Sequence, residues 1–231
     1  MRKMKKVTPV LVGMLAGAGI VWTLGRRRAP LAALSSWQRS LARQHGAEKA
    51  GRLAEAVRQE YTALLARTTL PEQPTLRWHL KDTILPGVAL YKVLLQEHKG
   101  DQETALAEVD ETMRERTLIK SRRMLAPLWV WPRPFQLFKM IFPQVMKQYP
   151  AEGWDIAYVE NSPDRVAFNI TRCFYRDRLA ELGAAELTAS FCKGDDVMGE
   201  CFPPSIRFVR PHTMGRGDEV CDFQYVRVET G

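Results

Sequence analysis

The run Arg165–Arg172 most constrains what this chain can fold into. Val166, Phe168 and Ile170 alternate with Ala167, Asn169, Thr171 and Cys173, and a period of two belongs to an extended strand. One face is large and apolar, so it must be covered. The other is small and polar, which suits a lined pocket or the open side of an antiparallel sheet. Trp154–Glu160 is a second strand-like run, joined to the first by the turn residues Asn161-Ser162-Pro163-Asp164. Ile206–Arg210 and Val220–Val228 read as two more strands, with Gly215–Asp218 turning between them. Phe174–Leu182, closed by Gly183, and Ala184–Phe191 read as helices.

Upstream the period becomes helical. Leu53, Val57, Tyr61, Leu64 and Leu65 share one face between Glu48 and Arg67, and Leu70–Pro74 breaks the pattern with two prolines. Thr75–Leu85 and Val88–His98 read as two short helices around Pro86-Gly87. Gly100-Asp101 ends one helix and caps the next, which runs to about Met124. Met124–Met146 is rich in Trp, Phe, Leu and Met and punctuated by Pro127, Pro132, Pro134 and Pro143. It reads as a broken helix pair covering the sheet, against the alternative of a surface dipping into a membrane. His45, His79 and His98 read as packing or surface histidines, because none stands in a metal-ligand spacing. The expected fold class is α+β: a helical amino-terminal half packed on a small antiparallel sheet of about four strands. After a linker at 29–36, residues 37–231 form one domain, helical over 37–149 and sheet-containing over 150–231.

All four cysteines lie in the last quarter: Cys173, Cys192, Cys201 and Cys221. There is no C-x-x-C and the gaps are irregular, so no metal site or cofactor is expected. No G-x-S-x-G, H-E-x-x-H or P-loop occurs. Cys201 reads as a small buried apolar residue. Asp195 follows Cys192 at three residues and Asp222 adjoins Cys221. A neighbouring carboxylate raises a thiol pKa, so a thiolate nucleophile would need a base or helix terminus to offset it.

Asn169-Ile170-Thr171-Arg172-Cys173, Glu181-Leu182-Gly183 with Glu186-Leu187, Cys192-x-x-Asp195, Ile206, Arg210 with Thr213, Gly217 and Cys221-Asp222-Phe223 occur in that order. Together they resemble the signature of the L-2-amino-thiazoline-4-carboxylic acid hydrolase family, over about Ala157–Tyr225. The resemblance implies hydrolytic opening of a cyclic isothiourea, a small-molecule substrate. It makes Cys192, Asp195, Cys221 and Asp222 the candidates for catalysis, with Asp222 the favoured carboxylate. Asn169, Thr171, Arg172, Arg210 and Thr213 are the candidates for substrate binding, an arginine being suited to a carboxylate. Asn169, Arg172, Cys192, Asp195, Cys221 and Asp222 are expected to converge on one pocket, although alternation sets Cys221 and Asp222 on opposite faces. The alternatives are a non-catalytic binding module on the same fold and a metal-dependent enzyme with Cys and Asp ligands.

The net charge of +8 is unevenly placed. Residues 1–30 hold seven bases and no acid, leaving 27 bases against 26 acids. A nucleic-acid binder carries its basic footprint on the folded domain, so no nucleic-acid partner is expected. Here the bases flank the uncharged run Val7–Gly25, long enough to cross a bilayer. A cleaved signal peptide ending at Ala16-Gly17-Ala18 is the rival. Ile20–Leu24 prolong the apolar run past that site, and Arg26-Arg27-Arg28 opposes translocation, which favours a single-pass anchor over residues 1–28 and a cytoplasmic domain. Removal of residues 1–28 is therefore expected to move the protein from the membrane fraction to the supernatant, still folded. Full-length protein in the supernatant, or a mature terminus near Gly19, would contradict the anchor.

Overall fold

The computed structural model describes residues 33–229. The segment Val7–Gly25 and its basic flanks lie outside the described residues, and among the described ones no helix is long and apolar enough to cross a membrane. The chain runs α1 (Leu34–His45), α2 (Ala47–Arg67), α3 (Pro74–His79), a π-helical turn (Leu80–Ile84), α4 (Leu85–Glu97), α5 (Gln102–Val130) and α6 (Pro134–Met146). Then come β1 (Trp154–Asn161), β2 (Arg165–Cys173), α7 (Phe174–Glu181), α8 (Thr188–Gly199), β3 (Ile206–Val209) and β4 (Cys221–Arg227). The strands form one antiparallel sheet in the order β1-β2-β4-β3. The architecture is α+β, as the patterns imply.

Several boundaries differ for physical reasons. Leu34–Ser36, the end of the segment read as a linker, already belong to α1, whose Leu34 and Trp37 are both 4% exposed. Pro86 does not separate two helices. Its ring would collide with the carbonyl four residues back, and the π-turn before it widens the backbone there, so helix continues from Pro74 to Glu97. α5 likewise passes through Pro127 to Val130. Its start is capped as expected, the Asp101 carboxylate accepting from the Thr104 amide at 3.1 Å.

The apolar face of the sheet is the inner one. Phe168 stacks on Phe223, its partner in register, with centroids 5.1 Å apart. α6 lays Phe138 against Tyr225 at 4.8 Å and Phe142 against Phe168 at 5.8 Å. One face of the proline-punctuated stretch thus covers the sheet. Burying three phenylalanines on it is worth roughly 1.5–3 kcal/mol each before losses of entropy.

The strict alternation of β2 fails at one point. Ile156 pairs with Ile170 but Asp155 pairs with Arg172, leaving Thr171 as an extra residue on β2. This bulge shifts the face of everything after it. Cys173 therefore pairs with buried Trp154 on the inner side, not with the polar residues of the outer face, and Arg172 goes outward to Asp155.

A second polar contact ties the helices together. Glu108 of α5 is 7% exposed, and its two carboxylate oxygens lie 2.6 Å from Nε2 of His45 and 2.6 Å from Nε2 of His98. These histidines close the ends of α1 and α4, so one carboxylate joins three helices. Glu108→Gln keeps the shape but weakens both contacts. It is expected to lower unfolding free energy by about 1–3 kcal/mol, read as a lower urea midpoint at unchanged m-value.

Candidate active site

The site is built around one buried cation. Arg210 leaves the end of β3 with its side chain 1% exposed. Its guanidinium lies over the Phe223 ring, 5.2 Å from the centroid, on the inner side of the sheet. Nη1 donates to Asp195 Oδ2 at 2.8 Å; Nη2 donates to Asp196 Oδ1 at 2.8 Å and to the Cys192 carbonyl at 2.9 Å. All three acceptors come from α8. Cys192-x-x-Asp195 is thus a helical spacing, not a segment that follows short helices, and i, i+3 and i+4 turn these groups to one side.

Thr213, 2% exposed, comes next along the chain. Its hydroxyl lies 3.4 Å from Cys221 Sγ and within hydrogen-bonding reach of the Cys192 thiol. The Met214 amide donates to Cys221 Sγ at 3.2 Å. A side chain at Gly215 would put its Cβ 2.7 Å from Cys192 Sγ, so glycine is required there by close approach. Cys192, Asp195, Arg210, Thr213 and Cys221 accordingly form one cluster, and the bulge brings Cys173 to its edge, where Cys192 and Cys221 both act on its charge.

The other sequence candidates lie elsewhere. Asn169 pairs in register with Asp222 on the outer face, and Thr171 is the exposed bulge residue. Arg172 is committed to Asp155 and to the carbonyls of Ala151 and Glu152 at the surface. Asp222, the favoured carboxylate, does not share a site with Asp195. Its oxygens accept from the His212 amide at 2.7 Å and lie 3.0 Å from His212 Nδ1, strapping the loop to β4. Burial pushes its pKa up, but the bonds from His212 outweigh this and hold it below the usual value. Of the adjacent pair in β4, alternation sends Cys221 inward and Asp222 outward.

Aromatic side chains that the motif reading passed over complete the wall. Tyr175 follows Cys173 by two residues, and Tyr149 precedes β1. His79, 3% exposed, sits between them: Nε2 lies 2.8 Å from the Gln148 carbonyl and Nδ1 2.8 Å from the Tyr175 hydroxyl. A carbonyl only accepts, so Nε2 carries the hydrogen and Nδ1 accepts from Tyr175. His79 is therefore a packing histidine, as its spacing implies, and it also orients a hydroxyl of the site. Tyr149 meets Trp154 at 5.2 Å and Tyr175 meets Phe191 at 5.4 Å. The sequence signal was position: Tyr175 adjoins a motif cysteine, and His79 directly precedes the π-turn that Pro86 demands.

The electrostatics single out Asp195. Burial raises its pKa to about 6; Arg210 lowers it and Asp196 raises it further. Its side chain remains 38% exposed, so it reaches solvent while surrounded by protein. Two thiols, Cys173 and Cys192, are held protonated. Burial raises Cys173 to about 11, and burial with Asp195 also raises Cys192. Tyr149 and Tyr225 are raised, first by burial and then by the charge of Asp195, and Tyr175 is raised first by burial and then by Tyr149. All four cysteines are free thiols. Among the described residues no three His, Cys, Asp or Glu side chains are grouped to hold a metal ion. A surface cleft of 470 Å³ between Leu64 and Leu182 contains none of these residues.

Replacing Arg210 with Gln would leave two carboxylates and a carbonyl without their partner. It is expected to cost about 2–3 kcal/mol of stability and to move the Asp195 pKa upward from about 6, measured by carboxyl NMR titration.

Comparison with known proteins agrees with the motif reading. No curated protein matches this chain. A solved structure, the Fe(II) unliganded H-NOX protein from K. algicida, aligns over 86% of this chain and 96% of its own at 12% identity, with a TM-score of 0.36. That similarity is too low to carry an argument. The family model described as L-2-amino-thiazoline-4-carboxylic acid hydrolase matches residues 77–225, from the helix before the π-turn to the last strand. The match takes in every residue of the cluster and spans more than half of the sequence, and the chain belongs to the L-2-amino-thiazoline-4-carboxylic acid hydrolase family.

Proposed function

We propose that this protein is a hydrolase that opens a cyclic isothiourea or related cyclic amidine, with Asp195 as the group that moves the proton. The observation that carries the reading is the half-exposed Asp195 carboxyl, poised at about 6 beside a buried arginine. A general acid–base works best when its pKa lies near the operating pH. Ionised Asp195 takes a proton from water as the water oxygen bonds to the amidine-like carbon. The ring C–S bond then breaks, and Asp195 returns the proton to the departing sulfur. One water is added, and a thiazoline carboxylate becomes a carbamoyl-cysteine. Cys192 and Cys221 serve as walls, because burial keeps the Cys192 thiol protonated and Cys221 Sγ accepts from a backbone amide.

The substrate carboxylate needs a cation. Arg172 and Arg210 have their terminal nitrogens committed to acceptors within the fold. Arg176 is exposed next to Tyr175, and its Nη1 lies 3.6 Å from the Met214 thioether. It has no ion pair among the described residues and is the cation we assign to the substrate carboxylate. Residues 7–25 tether the enzyme to a membrane, with the domain in the cytoplasm; the basic flanks of that run support the tether.

The test is turnover of L-2-amino-thiazoline-4-carboxylate. The base must be ionised, so kcat/KM is expected to fall as pH drops through about 6. Asp195→Asn is expected to remove that limb and lower the rate about 10²-fold or more, whereas Cys192→Ser stays within a few-fold. An inactive Cys192→Ser beside a normal Asp195→Asn would overturn the assignment.

A further inference from the structure

The charge of this chain is segregated. Residues 116–151 hold seven bases and no acid, and residues 1–47 hold nine and no acid. Everything else holds 18 bases against 26 acids. The described end of the first stretch, α1, packs along α5, which carries the start of the second. α1 runs antiparallel to the first half of α5, with His45 at Glu108, Gln44 at Thr112 and Arg43 at Glu115. Going back along α1 to Leu34 therefore leads toward the second half of α5.

The same part of the molecule exposes apolar side chains. Val130 is 79% exposed, Trp129 56%, Met124 49% and Met140 49%. They lie on the second half of α5 and on α6, around the proline corner between them. The Trp129 ring is fixed in place by its Nε1, which donates to the Cys201 carbonyl at 2.9 Å. Arg122, Arg123, Arg133 and Lys147 are exposed among them, and the last three have no ion pair among the described residues. Covering of the sheet uses only the Phe135, Phe138 and Phe142 face of α6, so it does not account for this outer surface.

We propose that the α5–α6 corner docks on an anionic bilayer surface, with Trp129, Val130 and Met140 in the acyl boundary and the arginines on lipid phosphates. Interleaved apolar and cationic side chains on a helix corner match that interface. A second copy of this chain would instead press like charges together. The surface is separate from the reaction proposed above and stands or falls without it.

Full-length protein mixed with vesicles whose phosphatidylcholine carries brominated acyl chains tests this. Tryptophan quenching is compared with W129F, so that the remaining tryptophans give a common background. With phosphatidylserine present, wild type is expected to show excess quenching over W129F. The excess should vanish in pure phosphatidylcholine, in high salt, in R122E/R123E/R133E and in V130E, whose exposed position leaves the fold intact by circular dichroism. Equal quenching in wild type and W129F, or an excess that survives charge reversal, would overturn the proposal. So would a lipid-free dimer that buries Trp129.

Discussion

A guanidinium that has lost its water must find acceptors inside the protein, and the geometry of the site follows from that requirement at Arg210. Two carboxylates and one carbonyl of α8 receive it, and Phe223 of β4 carries its flat face. Removing any of these partners leaves a buried charge uncompensated, which costs more than the pair itself contributes. The helix, the sheet and the loop after β3 are therefore held in one arrangement. The strain-free approach of Gly215 to Cys192, and the thiols on either side of Thr213, depend on that arrangement rather than creating it.

The periodic parts of the fold were legible because they are periodic. β2, its turn to β1 and the helix closed by Gly183 stand where the residues imply, and Gly183 takes the left-handed φ of +67° expected after a helix end. The departures occur where one residue changes the count. Thr171 adds one position to β2, and the faces of Arg172 and Cys173 exchange. Nothing in Asn169-Ile170-Thr171-Arg172-Cys173 marks the bulge, because each residue is acceptable in a regular strand. Pro86 does mark something, but the backbone answers it with a wider turn instead of a break, and that answer needs the packing of Leu80, Ile84 and Leu85, all fully buried.

The site was half legible for a related reason. A motif groups residues that vary together in chemistry, but it does not say which side of a strand each one faces. Cys221 and Asp222 are adjacent, and one holds the inner cluster while the other holds the outer loop. Sequence chemistry favours the carboxylate as the working member; strand geometry assigns it to His212. His79, Tyr149 and Tyr175 carry no motif of their own. Their roles arise from contacts across gaps of 69 and 96 residues, which no local pattern reports.

Two cysteines at one threonine, with a third at their edge, would ordinarily suggest thiolate chemistry, and the surroundings decide against it. A reactive thiolate needs a cation or a helix amino terminus at the sulfur. Here the cation that acts on Cys192 is Arg210, and its terminal N–H groups already serve Asp195, Asp196 and a carbonyl. Burial is the largest influence on Cys192 and favours the thiol; the Thr213 hydroxyl opposes it, the charge of Asp195 adds to it, and the thiol pKa ends above its ordinary value. The same burial acts on Asp195 in the opposite functional sense. It lifts a carboxyl that would otherwise be ionised throughout the physiological range to about 6, where both protonation states are accessible. Arg210 keeps it from rising further. One desolvated environment thus silences the sulfur and makes the carboxylate useful, and this difference in response, not the count of nucleophiles, is why proton transfer through Asp195 is the chemistry the site supports.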